Sequence, residues 1–173
     1  MAYEYSTAHY VKTEYGKVLK YISRKEALRL TKKFFFKGLK RFVRFLKDNH
    51  FYKAYKLLKS QPFPLICWEI MELNTLGKTI YYSSKDFYTI KMNICYLYSS
   101  EAYDFLKSTL LHELGHFICN VLLGDFEHDR RFRSVCKILG NTDSNHIGSA
   151  ASYYDVPEIF EICERKGIKL TFY

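Results

Sequence analysis

Across residues 24–47 apolar side chains recur every three or four positions: Leu28, Phe35, Leu39, Phe42, Phe45 and Leu46 are set among lysines and arginines. That period predicts an amphipathic helix with a cationic outer face. A shorter helix is expected at about 50–59, before Pro62 and Pro64 interrupt the chain. The pattern then changes. The segments 65–73 (LICWEIMEL), 79–83 (TIYYS) and 87–94 (FYTIKMNI) are rich in β-branched and aromatic residues and predict three strands, with Gly77 at a turn. Ser99 or Ser100 can cap a long helix that carries Glu101 in its first turn and runs to about Leu123, with Gly124 as its C′ residue. A further helix is expected at about 128–139, with Phe132, Val135, Cys136 and Leu139 on one face. The segment 141–157 reads as loop, followed by a short helix near 157–166 and a last strand, IKLTFY. Helices, a small three-stranded sheet and then helices again make an α+β plan.

Within the apolar long helix, TLLHELGHFI at 109–118 holds polar residues that are costly to bury without a purpose. His112 and His116 stand four positions apart, so a helix presents both rings on one face, where they can share a Zn²⁺ ion. Glu113 follows the first histidine and suits the role of general acid/base beside that ion. Leu110, Leu111, Leu114, Gly115, Phe117 and Ile118 fill the gap and the flanks, as a buried site helix requires. A catalytic zinc site has three protein ligands and one open position. The stretch GDFEHDRRF at 124–132 offers the third. His128 is the first choice, twelve residues beyond His116, where the chain has had room to turn back. Glu127, Asp125 and Asp129 are rivals as ligands, and Asp129 or Glu127 is an alternative as the group that orients a ligand imidazole.

Charge adds a second feature. Residues 1–60 hold 16 Lys/Arg against 4 Asp/Glu, whereas residues 61–173 hold 11 against 14, so the net charge of +9 originates in the first third. Such an excess suits either a polyanion, nucleic acid above all, or a solvated lysine face. Cys67, Cys95, Cys119, Cys136 and Cys163 include no CxxC pair, which points to reduced, buried thiols rather than a disulfide framework or zinc ribbon. There is no apolar signal region at the N-terminus and no uninterrupted apolar run near the roughly 20 residues that cross a bilayer. A cytoplasmic protein with no membrane partner is expected.

The run IKMNICYLYSSEAYDFLKSTLLHELGHFI, followed by HDRRFRSVCKILG, resembles the SprT-like (Spartan-type) metalloproteases. The shared features are a strand ending in a polar x-x-N turn, a helix bearing HExxH, and a third His opening a helix, here His128 with Phe132 four residues on. The similarity spans about residues 65–140. It implies a minimal zincin with a shallow cleft between site helix and sheet. It also implies zinc ligation by His112, His116 and His128, with Glu113 as general acid/base. The activity implied is DNA-dependent cleavage of proteins, including those crosslinked to DNA. Asp129 stands where many members have Gly, which bears on the local turn. Many members also carry a C-terminal Cys-rich zinc ribbon, and this tail has Cys163 alone, so dependence on DNA would fall to the basic first third. The chain is then one domain over 1–173: a basic helical region (1–60), a zincin core (65–140) and a C-terminal segment without a ribbon (141–173).

Three functions compete at this level. The first is a zinc endopeptidase acting on protein substrates, some of them bound to nucleic acid. The second is a nucleic-acid-binding protein whose zinc site is structural or vestigial, and an intact Glu113 speaks against it. The third is a phage or mobile-element factor acting on one host protein, which the Lys-, Tyr- and Phe-rich composition suits. Weaker candidates are Asp143, Asn145 and His146 in a polar loop, which reads better as a plain turn, and Tyr153 or Tyr154 as oxyanion donors. Trp68 reads as core. The Phe34–Phe36 run reads as core more than as a base-stacking surface.

Overall fold

The computed structural model describes residues 10–12, 18–20, 24–69, 71–72, 75–93, 102–141 and 171–172. The order of elements is β1 (Tyr10–Lys12), β2 (Val18–Lys20), α1 (Arg24–Asp48), α2 (Tyr52–Ser60), β3 (Leu65–Glu69), β4 (Gly77–Tyr82), β5 (Phe87–Asn93), α3 (Ala102–Leu123), α4 (Arg130–Leu139) and β6 (Thr171–Phe172). The α+β plan holds. The helices near 24–47, 50–59 and 128–139, the two later strands and the long helix ending before Gly124 lie within a few residues of their expected places. Gly124 has φ +77° and donates its N–H to the Asn120 carbonyl, closing α3 in the left-handed turn that glycine enters without strain.

The N-terminal region departs from expectation. Residues 10–20 hold a short antiparallel pair, Tyr10 opposite Lys20 and Lys12 opposite Val18, where a helical region was expected. Triplets this short leave no periodicity to read. The first strand of the main sheet also ends early, at Glu69 rather than near 73. The reason is Asn93, buried at the end of β5, whose amide donates to the carbonyls of Thr75 (2.8 Å) and Glu72 (3.4 Å), while its N–H meets the Leu76 carbonyl. These bonds need the chain after β3 to fold back over the end of β5 instead of extending. The predicted helix near 157–166 lies outside the described residues, as do Cys95 and Cys163.

The sheet runs β4-β5-β3-β6. β5 pairs antiparallel with β4 and parallel with β3, and the two-residue β6 adds to the three main strands at the far edge. Alternate residues of β5, namely Tyr88, Ile90 and Met92, face the core with Trp68 of β3. The α3 residues Leu106, Leu110, Leu114, Phe117 and Ile118 pack against them, and the Tyr88 and Phe117 rings meet edge to face at 4.9 Å. α1 lies across α3 and contributes Leu30, Phe34, Phe35, Phe42 and Leu46 to the same core. α3 is therefore sandwiched between the sheet and a helix, which is why it is apolar nearly all round. Cys67, Cys119 and Cys136 are buried free thiols, and burial pushes each of them above the ordinary thiol range. Among the described residues no helix is long and apolar enough to cross a membrane.

Candidate metal centre

Two turns of α3 bring His112 and His116 to the surface of the helix that faces α4. The third imidazole comes from the loop between the helices, where His128 immediately precedes the cap of α4. Asp129 is that cap: its Oδ1 accepts the Phe132 N–H at 3.0 Å, and its other oxygen accepts from Arg131 Nε at 2.6 Å. The bond from Arg131 Nη2 to Asp125 at 2.9 Å ties the same loop a second time. α4 in turn can press on α3 because the site helix has Gly115 at the crossing. A Cβ there would lie 2.8 Å from the Cys136 sulfur and 3.1 Å from the Phe132 ring. The glycine inside HELGH is thus a packing requirement of the site.

The result is a triangle of nitrogens. Nε2 of His112 and Nε2 of His116 are 3.1 Å apart, His116 and His128 3.0 Å, and His112 and His128 3.2 Å. Phe132 floors the triangle, with its ring stacked on His116 at 4.3 Å and edge-on to His112 and His128 at 4.9 and 5.0 Å. Three neutral imidazoles cannot satisfy one another in this arrangement, since each carries a single N–H. A cation can satisfy all three. Tetrahedral coordination with metal–nitrogen bonds of about 2.0–2.1 Å places its nitrogens about 3.3–3.4 Å apart, close to the spacing found. Burial, and then the neighbouring imidazoles, hold His116 down to about 3 and His112 to about 4, so both are neutral with free lone pairs at physiological pH. His112, His116 and His128 can hold a metal ion, and they form the one such cluster among the described residues.

Glu127, Asp125 and Asp129 are not part of that cluster. Asp125 and Asp129 are engaged by Arg131, and Asp129 by the start of α4; among the described residues no carboxylate orients the imidazole of His116. Its Nδ1 is buried without a hydrogen-bond partner. Glu113, next to His112 in α3, is buried at 4% exposure. Burial raises its carboxyl to about 7, against the opposing effect of hydrogen bonds from Thr79. Thr79 Oγ1 lies 2.6 Å from Glu113 Oε2 and 2.9 Å from the Glu113 carbonyl oxygen. Nothing in the sequence pattern pointed to Thr79, and Gly77, expected at a turn, is the first residue of β4, with its hydrogen side facing Thr109 and the Glu113 side chain.

The remaining candidates divide simply. Trp68 is core, as expected, and so are Phe34 and Phe35. Phe36 is half exposed and meets Phe35 and Phe63 edge to face. Asp143, Asn145, His146, Tyr153 and Tyr154 lie outside the described residues. No curated protein and no solved structure matches the chain. The model of the SprT-like family, however, matches residues 40–151, which begins inside α1 and takes in β3, β4 and β5, the histidine triangle and α4. A match over well more than half of the length, enclosing all three histidines and Glu113, means that this chain belongs to the SprT-like family.

Proposed function

We propose that the chain is a zinc-dependent endopeptidase in which Glu113 is the general acid/base. The observation that supports this most is a three-imidazole triangle, two of whose histidines share two turns of helix with a buried carboxyl. A site that merely braces a fold has no use for a buried carboxyl, which is costly to desolvate. Three histidines leave one side of a tetrahedral ion open, and imidazole donors suit zinc. Zinc bound there supplies a Lewis acid for the scissile carbonyl and activates water at neutral pH. Glu113 takes the proton released by the attacking water and passes it to the departing amine. Apolar packing around α3 keeps bulk water from the carboxyl, and Phe132 holds the imidazoles in register.

Nucleic acid is the proposed second partner. All nine lysines and arginines of α1 from Lys25 to Lys47 are exposed, as are Lys53, Lys56 and Lys59 of α2, while α2 has no acidic residue. The acids of α1 are Glu26, which binds Arg29, and Asp48. A cationic face of this density suits a phosphate backbone, and so favours protein substrates that are themselves bound to nucleic acid.

The test is digestion of casein or histone, with and without single-stranded DNA, alongside measured zinc content. Wild type is expected to bind one zinc and to cleave. Glu113→Gln is expected to keep the zinc and lose at least about a thousandfold in rate, and chelation to abolish cleavage. A Glu113→Gln variant as active as wild type, or a wild type that binds no zinc, would overturn the reading. One zinc with no cleavage under any condition, but tight salt-sensitive DNA binding, would favour a binding protein with a structural site.

A further inference from the structure

Glu113 has a flexible side chain, and a proton-transfer group must be held in one place to be useful. Its own helix does not hold it: the hydrogen-bond partner of the carboxyl is Thr79, 34 positions earlier and on the edge strand β4. β4 can reach α3 because its first residue is Gly77. A Cβ at Gly77 would lie 2.8 Å from Thr109 Cγ2, 3.0 Å from Glu113 Cγ and 3.2 Å from Glu113 Oε1. Glycine thus leaves space for the carboxyl, and the next inward residue grips it. The strand is itself located by its ladder with β5, Thr79 opposite Ile90, and by the Asn93 bonds that fix the chain just before it.

We propose that Thr79 is the positioning residue for Glu113, its hydroxyl holding Oε2 so that Oε1 is left to take the proton of the attacking water and pass it to the departing amine. This rests on the hydrolase reading above. A hydroxyl fits the task because it can donate to a carboxylate or accept from a carboxylic acid while donating to the nearby Glu113 carbonyl. The histidines are placed by α3 and α4, whereas the carboxyl is placed from the sheet, so the two parts of the site can be perturbed separately.

The experiment compares wild type, Thr79→Val and Thr79→Ser for zinc content, thermal unfolding and steady-state cleavage. Thr79→Val keeps the shape and removes the hydroxyl. It is expected to retain one zinc and an unchanged KM while kcat falls about ten- to hundredfold. Thr79→Ser is expected to restore kcat to within about threefold. A readout independent of turnover is the coupling of stabilities: Thr79→Val should lower the melting temperature more in wild type than in a Glu113→Ala background, because part of its bond is already gone there. If wild type cleaves and Thr79→Val keeps its kcat, or loses it with no rescue by serine, the positioning role is overturned and the hydrolase reading stands. If wild type binds zinc but does not cleave, the hydrolase reading and the catalytic purpose of the link fall together. Additive melting shifts would show that the link itself is absent.

Discussion

α1 and α3 are the two long helices of the molecule, 25 and 22 residues, and they obey opposite rules. α1 buries one stripe and offers the rest to solvent, so any one lysine on it costs little and says little. α3 has no solvent side through its middle: from Leu106 to Cys119 every residue is buried except Lys107, Ser108 and His112. A polar side chain in α3 must therefore be matched by something: Glu113 is matched by Thr79, while His112 and His116 converge with His128 on a point that a cation can satisfy. The proposed metal chemistry thus rests on single residues of α3, whereas the proposed nucleic-acid contact rests on a whole face of α1.

That contrast can be tested, beginning where the effect is largest. Replacing His116 by Ala is expected to reduce bound metal from one equivalent to near zero at micromolar protein, measured by elemental analysis after dialysis, because two imidazoles make a much weaker site. Retention of a full equivalent would mean that the triangle is not the metal centre. Leu114→Ala tests the packing beneath the site. Leu114 is fully buried between α1 and the sheet, and its truncation should cost about 3 kcal/mol in urea unfolding. On α1 the expected response is the reverse. Lys33, Lys37, Lys40 and Arg44 form one exposed stripe, and changing all four to Gln should leave folding stability within about 0.5 kcal/mol per site. If the stripe contacts phosphates, affinity for a single-stranded oligonucleotide falls. The slope of log K against log salt also becomes shallower, by about 0.7 per lost contact. Unchanged oligonucleotide binding would reduce α1 to a solvated face.

Much of the site could be read directly because it is local. His112, Glu113 and His116 share two turns, and the cost of burying them marks the segment. His128 stood among acidic rivals that spacing could not remove. In the structure Arg131 engages Asp125 and Asp129, Asp129 caps α4, and His128 closes the cluster of imidazoles that can hold a metal ion, with Glu127 outside it. Thr79 was not legible at all, and Gly77 read as a turn, whereas it opens β4 and gives room to the Glu113 side chain. A threonine in a strand looks like any other β-branched residue, and its bond to Glu113 depends on how sheet and helix dock. The early end of β3 was hidden for the same reason: it is set by the Asn93 amide, more than twenty positions away in the case of Met71 and Glu72.

The place of β4 in the sheet has a dynamic consequence. β4 is an edge strand, joined to β5 on one side and, among the described residues, to no strand on the other. Edge strands open at lower free energy than the centre of a sheet, by local fluctuations that leave the core folded. An excursion of this kind would carry Thr79 away from Glu113 while the histidines stayed on α3 and on the loop before α4. The protein would then fluctuate between an armed and a disarmed centre with its metal nitrogens in place throughout. On the proposed hydrolase reading, whatever quiets the edge, an extended peptide lying along it for example, would raise the armed fraction and couple readiness for chemistry to the presence of a substrate.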